Sequence, residues 1–355
     1  MRRAESESMA EKDRRAAYVV RQTVRGSDAD DLRGVGGVEW LQVSDLPAGE
    51  VQIEVARSSM NYKDAMACQG HPGVVGKLPH VPGIDCVGSV VVSQVDSFAP
   101  GQRVLVTGYD LGSGAWGGYS RRVRVPAEWV VPLPKELSAD QAMIYGTAGF
   151  TAAQAVMALL RSGASPDDGP LLVTGASGGV GIFAVGILAK LGFEVVAMSG
   201  KQDMVGKLDA IGASRVIGRD DLVTGSRPLL KSEWAGGVDT VGGETLASLL
   251  RSTGYRGCVA ACGLVGGADL PLTVYPFILR GVTLAGIDSA KCPREPRLEV
   301  WRQLAGPWRV ELPPELVSTI SLDGVAERAA LLLAGEARGR TLVTPTTATD
   351  PPAGQ

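Results

Sequence analysis

The residues with the most legible chemistry lie mid-chain, in Leu171-Leu-Val-Thr-Gly-Ala-Ser-Gly-Gly-Val-Gly181. Gly175, Gly178 and Gly181 are three positions apart. Before them stands a β-prone run, Leu171 to Val173. After them Ile182, Val185, Leu188 and Ala189 recur at helical spacing. A strand, glycine turn and helix in this order leave N–H groups unpaired at the helix N-terminus, where they and the helix dipole attract an anion. Glycines also let the backbone approach a pyrophosphate closely. Ser177, Gly178, Gly179, Val180 and Gly181, with Gly175, are therefore the expected phosphate cradle. A second strand, Gly192 to Met198, completes the first βαβ of a dinucleotide-binding fold. A tight turn without a ligand is the alternative reading of the glycines alone. The strand, helix and second strand around them favour the dinucleotide.

The end of that second strand selects the cofactor. NAD-binding sites place Asp or Glu there to bond the ribose 2′-OH. Here the strand ends in Met198-Ser-Gly-Lys201, with no acid. The hydroxyl of Ser199, the open backbone of Gly200 and the cation of Lys201 suit a 2′-phosphate. Arg219, after the strand-like Arg215-Val-Ile217, can add a second cation. The cofactor expected is NADPH; the alternative for Lys201 and Arg219 is solvated surface charge.

These residues need a frame. The chain has 355 residues, 45% of them hydrophobic, and a net charge of −3. That length suits two domains. The charge gives no general reason to expect nucleic acid or an anionic membrane as partner. No uninterrupted apolar run reaches the roughly 18 residues of a membrane span. The five cysteines, Cys68, Cys86, Cys258, Cys262 and Cys292, have no CxxC spacing and read as reduced thiols in a cytoplasmic protein. Residues 1–16 are charged and lack a core face, so a disordered extension is expected there, and 345–355 reads as a disordered polar tail. From Tyr18 to about residue 140 short alternating runs, such as Val51 to Val55, Gly88 to Val92 and Arg103 to Thr107, alternate with Pro and Gly turns. This is a β-barrel-like domain standing before the dinucleotide domain, and a substrate cleft is expected between the two. Asp140 to Leu160 is helical in pattern, interrupted at Gly146 to Gly149.

Several further stretches share one order with a known family: Asn61-Tyr-Lys-Asp64, Val81-Pro-Gly-Ile-Asp85, Trp116-Gly-Gly-Tyr119, Ile144-Tyr-Gly-Thr-Ala-Gly-Phe-Thr-Ala152, the glycine turn, Val259-Ala-Ala-Cys-Gly-Leu264, Pro276-Phe-Ile-Leu-Arg280 and Gly339-Arg-Thr-Leu-Val343. From Tyr18 to about Val343 the chain resembles the medium-chain dehydrogenase/reductase superfamily. The resemblance is nearest to its zinc-independent, quinone-oxidoreductase-like branch, which includes the NADPH-dependent acrylyl-CoA reductases. It implies an α/β architecture. A GroES-like β-barrel catalytic domain would span 17–142 and 290–344, and a Rossmann doubly wound parallel-sheet domain 143–289. A homodimer is implied by the same resemblance.

Zinc-dependent members of that family carry a Cys and a His-Glu pair in the first domain. This sequence has Asn61-Tyr62 and Ile84-Asp85 at those places. Its two histidines, His71 and His80, lack ligand-spaced partners and read as loop surface. No catalytic zinc is expected. Without a metal to polarise the substrate, hydride transfer needs an acceptor that is already electrophilic: an α,β-unsaturated thioester or a quinone. In an enoyl thioester, hydride adds at Cβ, the developing oxyanion needs a donor, and Cα needs a proton. Tyr62 is the candidate for that chemistry, since a phenol is protonated at neutral pH and can donate. Related enoyl-thioester reductases implicate a tyrosine of this motif. Asn61 and Asp64 would fix the loop or face the nicotinamide ribose. The alternative for all three is turn and core packing. By resemblance, Tyr62, Thr147, Leu264, Ile278, Ser289 and Arg340 approach the cofactor. The glycine turn also fits the short-chain dehydrogenases, but those need a downstream Tyr-x-x-x-Lys. Tyr255 is followed by Val259 and Tyr275 by Leu279. The expected activity is NADPH-dependent reduction of an enoyl thioester such as acrylyl-CoA. The alternatives are quinone reduction and a non-enzymatic NADPH sensor.

Overall fold

The computed structural model describes residues 14–22, 34–222, 225 and 227–347. The chain forms two compact units, Met1–Thr147 with Val317–Gln355, and Ala148–Leu316.

The first unit is built on antiparallel strands. β1 (Arg14–Gln22) and β2 (Gly34–Gln42) form a two-stranded ladder. β3 (Val51–Met60) turns Val51, Ile53 and Val55 inward, as a period of two requires. The seven-residue helix α1 (Tyr62–Cys68) follows β3 directly. β4 (Asp85–Ser93), β5 (Arg103–Thr107) and β7 (Val131–Pro132) then extend the sheet from one edge of β3, while β6 (Arg122–Val125) pairs with β3 itself. The barrel core includes Ile53, Val90, Val104, Val106 and Val123.

Helix α2 (Ala139–Arg161) runs from the first unit into the second. Gly146 breaks its path at φ 48° and ψ −152°, at the place where the sequence shows an interruption. Its 23 residues are long and apolar enough to cross a membrane, although the sequence reading expected no such span. Most of its apolar stretch is buried in the protein, so it is a core helix.

The second unit is a doubly wound sheet. β8 (Leu171–Val173) leads through the glycine turn into α3 (Gly179–Lys190). Then come β9 (Val195–Met198), α4 (Val205–Ile211) and β10 (Arg215–Ile217). The chain crosses back as β11 (Trp234–Asp239), α5 (Gly243–Ser252) and β12 (Thr253–Ala261). It continues with α6 (Tyr275–Arg280), β13 (Thr283–Gly286) and α7 (Arg294–Ala305). The six strands are all parallel, in the order β10-β9-β8-β11-β12-β13. Parallel strands covered on both faces must be apolar throughout, and Leu171 to Val173 and Val195 to Met198 are all buried. The order reverses between β8 and β11, which is where such sheets bind ligands.

The chain then returns to the first unit. β14 (Val317–Ile320) lies parallel to β15 (Arg340–Val343), which pairs with β3, and α8 (Val325–Leu333) packs in the cluster around Tyr18 and Met60.

Three expectations are corrected. Arg14, Arg15 and Ala16 belong to β1, and Ala16 is fully buried, so the fold starts inside the stretch read as an extension. The rest of that stretch, and 348–355 of the expected tail, lie outside the described residues. Residues 290–316 belong to the second unit, because Trp301 of α7 packs on Phe150 with ring centres 6.0 Å apart. The first boundary falls after Thr147, at the break in α2. His80 is buried instead of surface-exposed: its backbone pairs in both directions with Val20. Burial holds its imidazole below the usual histidine range.

Candidate active site

In the first unit a set of polar side chains closes around the start of α1. Asn61 caps the helix with extended backbone, and the Asp64 carboxylate turns back to accept from the Asn61 backbone N–H at 2.8 Å. The same oxygen of Asp64 accepts from Asn61 Nδ2 at 3.1 Å. Its other oxygen accepts from the N–H groups of Gly83 (3.1 Å) and Ile84 (2.8 Å). Asp64 therefore pins the 83–84 turn to the helix start. It has no exposed surface. Of the two roles expected for it, fixing the loop is the one this geometry supports. Burial, then the neighbouring Asp85, push its carboxyl up to about 7, against the pull of these hydrogen bonds.

Asp85 is a second buried carboxylate, at the start of β4. It accepts from Ser59 Oγ (2.6 Å), Asn61 Nδ2 (2.7 Å), the Thr147 N–H (2.9 Å) and Thr147 Oγ1 (2.6 Å). Arg340 closes the set from β15. It is 3% exposed and donates to the carbonyls of Ile144 (2.8 Å) and Met60 (3.2 Å), to Ser59 Oγ (3.1 Å) and to Asn61 Oδ1 (3.2 Å). Burial lowers its guanidinium below the usual range, and Asp85 and Asp64 raise it. A buried cation is tolerable only with such partners. Gly146 is required here. A Cβ at that position would stand 2.5 Å from both Asp85 Oδ2 and Ser59 Oγ.

The structure thus joins Asn61, Asp64, Thr147 and Arg340, all expected at the site, through Ser59 and Asp85, which sequence reasoning did not assign. The Thr147 hydroxyl and the Arg340 guanidinium, expected near the cofactor, hold this network together. Tyr62 stands apart. It is the first residue of α1 and is 46% exposed. Its hydroxyl has no hydrogen-bond partner among the described residues.

The second unit carries the glycine turn. Gly175 has φ +58°, and a Cβ there would meet Thr240 Oγ1 at 2.3 Å. A Cβ on Gly181 would meet the Gly175 carbonyl at 2.4 Å, which is why the helix can start so close to the turn. The helix N-cap, Gly178, has no side chain to satisfy the first-turn N–H groups. Those of Gly179, Val180 and Gly181 have no intrahelical acceptor and suit an anion. The turn is held from below by Asp239, another residue the sequence reading passed over. Its carboxylate accepts from Thr174 Oγ1 (2.6 Å) and from the N–H groups of Val241 (3.2 Å) and Gly242 (2.7 Å). An acid inside the apolar run of β11 was the available signal.

At the tip of β9, Ser199 Oγ donates to Ser177 Oγ at 3.0 Å and accepts from the Lys201 N–H at 3.1 Å. Arg219 lies across Gly200, where an added Cβ would be 2.8 Å from its Nε. No carboxylate stands at the tip itself. Ser289 accepts from Thr151 Oγ1 at 2.8 Å. Leu264 and Ile278 are each 67% exposed. Among the described residues no group of three or more His, Cys, Asp or Glu side chains could hold a metal ion.

Comparison with known proteins fits this arrangement. The alcohol dehydrogenase GroES-like domain family matches residues 47–135, and the zinc-binding dehydrogenase family matches 179–305. The probable acrylyl-CoA reductase AcuI of Escherichia coli K12 is 46% identical over 89% of this chain and 97% of its own length. The chain belongs to the medium-chain dehydrogenase/reductase superfamily. Another relative in that superfamily, the putative quinone oxidoreductase YhfP of Bacillus subtilis, is 45% identical over 86% of this chain and 93% of its own. The crystal structure of E. coli K-12 YhdH with bound NADPH superposes with a TM-score of 0.87 at 44% identity, covering 93% of this chain and all of that one. One of the two families is named for zinc binding, but Asn61, Tyr62, Ile84 and Asp85 bring only one ordinary zinc-ligating side chain, that of Asp85, to these two stretches.

Proposed function

We propose that this protein reduces the C=C bond of an enoyl thioester with NADPH, and that its substrate is acrylyl-CoA, converted to propionyl-CoA. The observation that carries the reading is the 46% identity, over nearly the whole of both chains, to a protein named as a probable acrylyl-CoA reductase. The residues present fit NADPH: a glycine cradle that a Cβ would fill, open first-turn N–H groups, and a strand tip with cations and no acid. When bound, NADPH supplies the hydride that adds to the substrate's β-carbon.

The chain's own residues do the rest. The N–H groups of Gly179, Val180 and Gly181 hold the pyrophosphate. Ser199, Gly200, Lys201 and Arg219 take the 2′-phosphate. The Tyr62 hydroxyl, exposed and without a competing partner, donates to the thioester side of the substrate and hands its proton to the α-carbon. Asn61, held by Asp85 and Arg340, and Asp64, bonded to Asn61 and to the 83–84 turn, fix the helix start from which Tyr62 projects. Leu264, Ile278 and Ser289 line the reduced end of the cofactor. The enzyme acts as a homodimer: β13 ends the sheet, and exposed Tyr275 and Ile278 of α6 lie next to it in the chain. Its unpaired cysteines suit the cytoplasm.

The test is NADPH oxidation with acrylyl-CoA, crotonyl-CoA and a small quinone offered separately, with NADH as the control cofactor. Turnover of acrylyl-CoA with NADPH supports the proposal. Turnover of the quinone alone would move the protein to the activity for which its Bacillus relative is named. Binding of NADPH without turnover of any of them would favour a sensor. In the reductase, Tyr62→Phe should lower kcat by about a hundredfold or more and leave NADPH affinity unchanged. Full turnover in that variant would exclude Tyr62 as the acid.

A further inference from the structure

Arg297 is the fourth residue of α7 and is fully buried. A side chain one turn into a helix covers the turn before its own Cα, and this one reaches back over the loop that leads into α7. Its Nη2 donates to the carbonyls of Ser289 (3.2 Å), Ala290 (3.1 Å) and Cys292 (3.3 Å), and its Nε to that of Cys292 (3.4 Å). The guanidinium also lies over the Phe150 ring, 4.9 Å from its centre. A guanidinium is costly to bury unless acceptors meet it. Here three carbonyls of one short loop do so, and the loop's path is fixed by where they converge. The loop is shaped from within as well. Asp288 Oδ1 accepts from the N–H groups of Ala290 (3.0 Å) and Lys291 (3.2 Å). The Ser289 hydroxyl on it accepts from Thr151 at 2.8 Å.

The sheet gives this loop a place. Val173 is in register with Val238, Asp239 with Ala261, and Ala261 with Gly286. The loops after β8, β11, β12 and β13 therefore leave one carboxyl edge. β9, with Ser199 at its tip, is on one side of β8, and β11, β12 and β13 are on the other. A dinucleotide whose pyrophosphate sits on the β8–α3 turn and whose 2′-phosphate sits at β9 extends its nicotinamide half toward β13.

We infer that Arg297 is a positioning residue: resting on the NADPH reading above, it shapes the 287–292 loop against which the nicotinamide half of the cofactor is held. It touches neither cofactor nor substrate. Its effect is confined to one half of the dinucleotide, which a merely structural role would not produce.

The experiment uses the full chain and measures dissociation constants for NADPH and for adenosine 2′,5′-bisphosphate, which carries only the adenine-side phosphates. Arg297→Lys keeps the charge but is shorter and lacks the planar fork that also brings Nε to Cys292; Arg297→Met removes the charge. In either variant the NADPH constant should rise about tenfold, the loss of one good charge-assisted contact, while the bisphosphate constant stays put. Equal weakening of both ligands, or no change in either, overturns the inference. If neither variant folds, Asp288→Ala loosens the same loop from within and leaves Arg297 intact. It should weaken NADPH alone, and unchanged affinity overturns the inference. A wild-type chain that binds neither ligand would overturn the NADPH reading itself, and the positioning role with it.

Discussion

Asp64 is the residue at which opposing effects can be weighed. Four N–H donors converge on its carboxylate, and bonds to a charged acceptor favour ionisation by about 1.5–3 kcal/mol each. Complete burial and Asp85 oppose them, and the balance lies at about 7. The sign of the consequence follows. An acid whose value is higher folded than unfolded stabilises the fold while protonated. That contribution is whole below about pH 4, the unfolded value, and is lost as pH rises through about 7. Urea unfolding of the native chain and of Asp64→Asn at a series of pH values across this window checks it. The stability of the native chain relative to the variant should fall as pH rises. A flat difference would mean that the four donors keep Asp64 ionised throughout.

At the scale of elements, two helix starts divide the work. α1 begins at a capped, buried carboxylate and presents Tyr62 to solvent. α3 begins at an uncapped glycine and leaves its N–H groups for an anion. Dipole and orphan donors are common to both; the cap decides whether protein or ligand satisfies them. The tip of β9, with Ser199, Lys201 and Arg219 and no acid, is where the proposed choice between cofactors would be made. Lys201→Ala combined with Arg219→Ala should weaken NADPH binding by about tenfold to a hundredfold and leave NADH binding nearly unchanged, as measured by fluorescence titration. Equal loss for both cofactors would show that these cations serve something other than a 2′-phosphate.

At the scale of the molecule, the second unit is one continuous segment and the first is not. A unit with its own sheet and core can fold alone. The excised segment 148–316 contains the glycine turn, the β9 tip and the Arg297 loop, and starts just past the break in α2 at Gly146. It should bind adenosine 2′,5′-bisphosphate within about threefold of the whole chain and show no reductase activity, because Tyr62, the proposed acid, is absent. Calorimetry and the turnover assay check the two halves of that statement. Failure to fold would mean that the first half of α2 is part of the second unit's core.

The dinucleotide half of this protein was legible in the sequence because its signals are local. Gly175, Gly178 and Gly181 sit within one turn, the flanking strand and helix have their own periods, and the missing acid is read at one strand end. Tyr62, the proposed acid, was likewise read from a short motif. The polar network beneath it was not. Asp85 is joined to Ser59, 26 positions away, and to Thr147, 62 positions away, and Arg340 reaches Ser59 across 281 positions. Whether an Asp or an Arg in a chain is solvated or buried depends on what comes to surround it, and a buried charge survives only where distant partners arrive together. His80 and Ala16 differ from their sequence reading for the same reason: each is buried by strands contributed from elsewhere in the chain. Local spacing determined the glycine turn and the helix it opens, and only the tertiary structure decided which distant charges meet at the start of α1, because a buried charge needs partners that folding alone brings together.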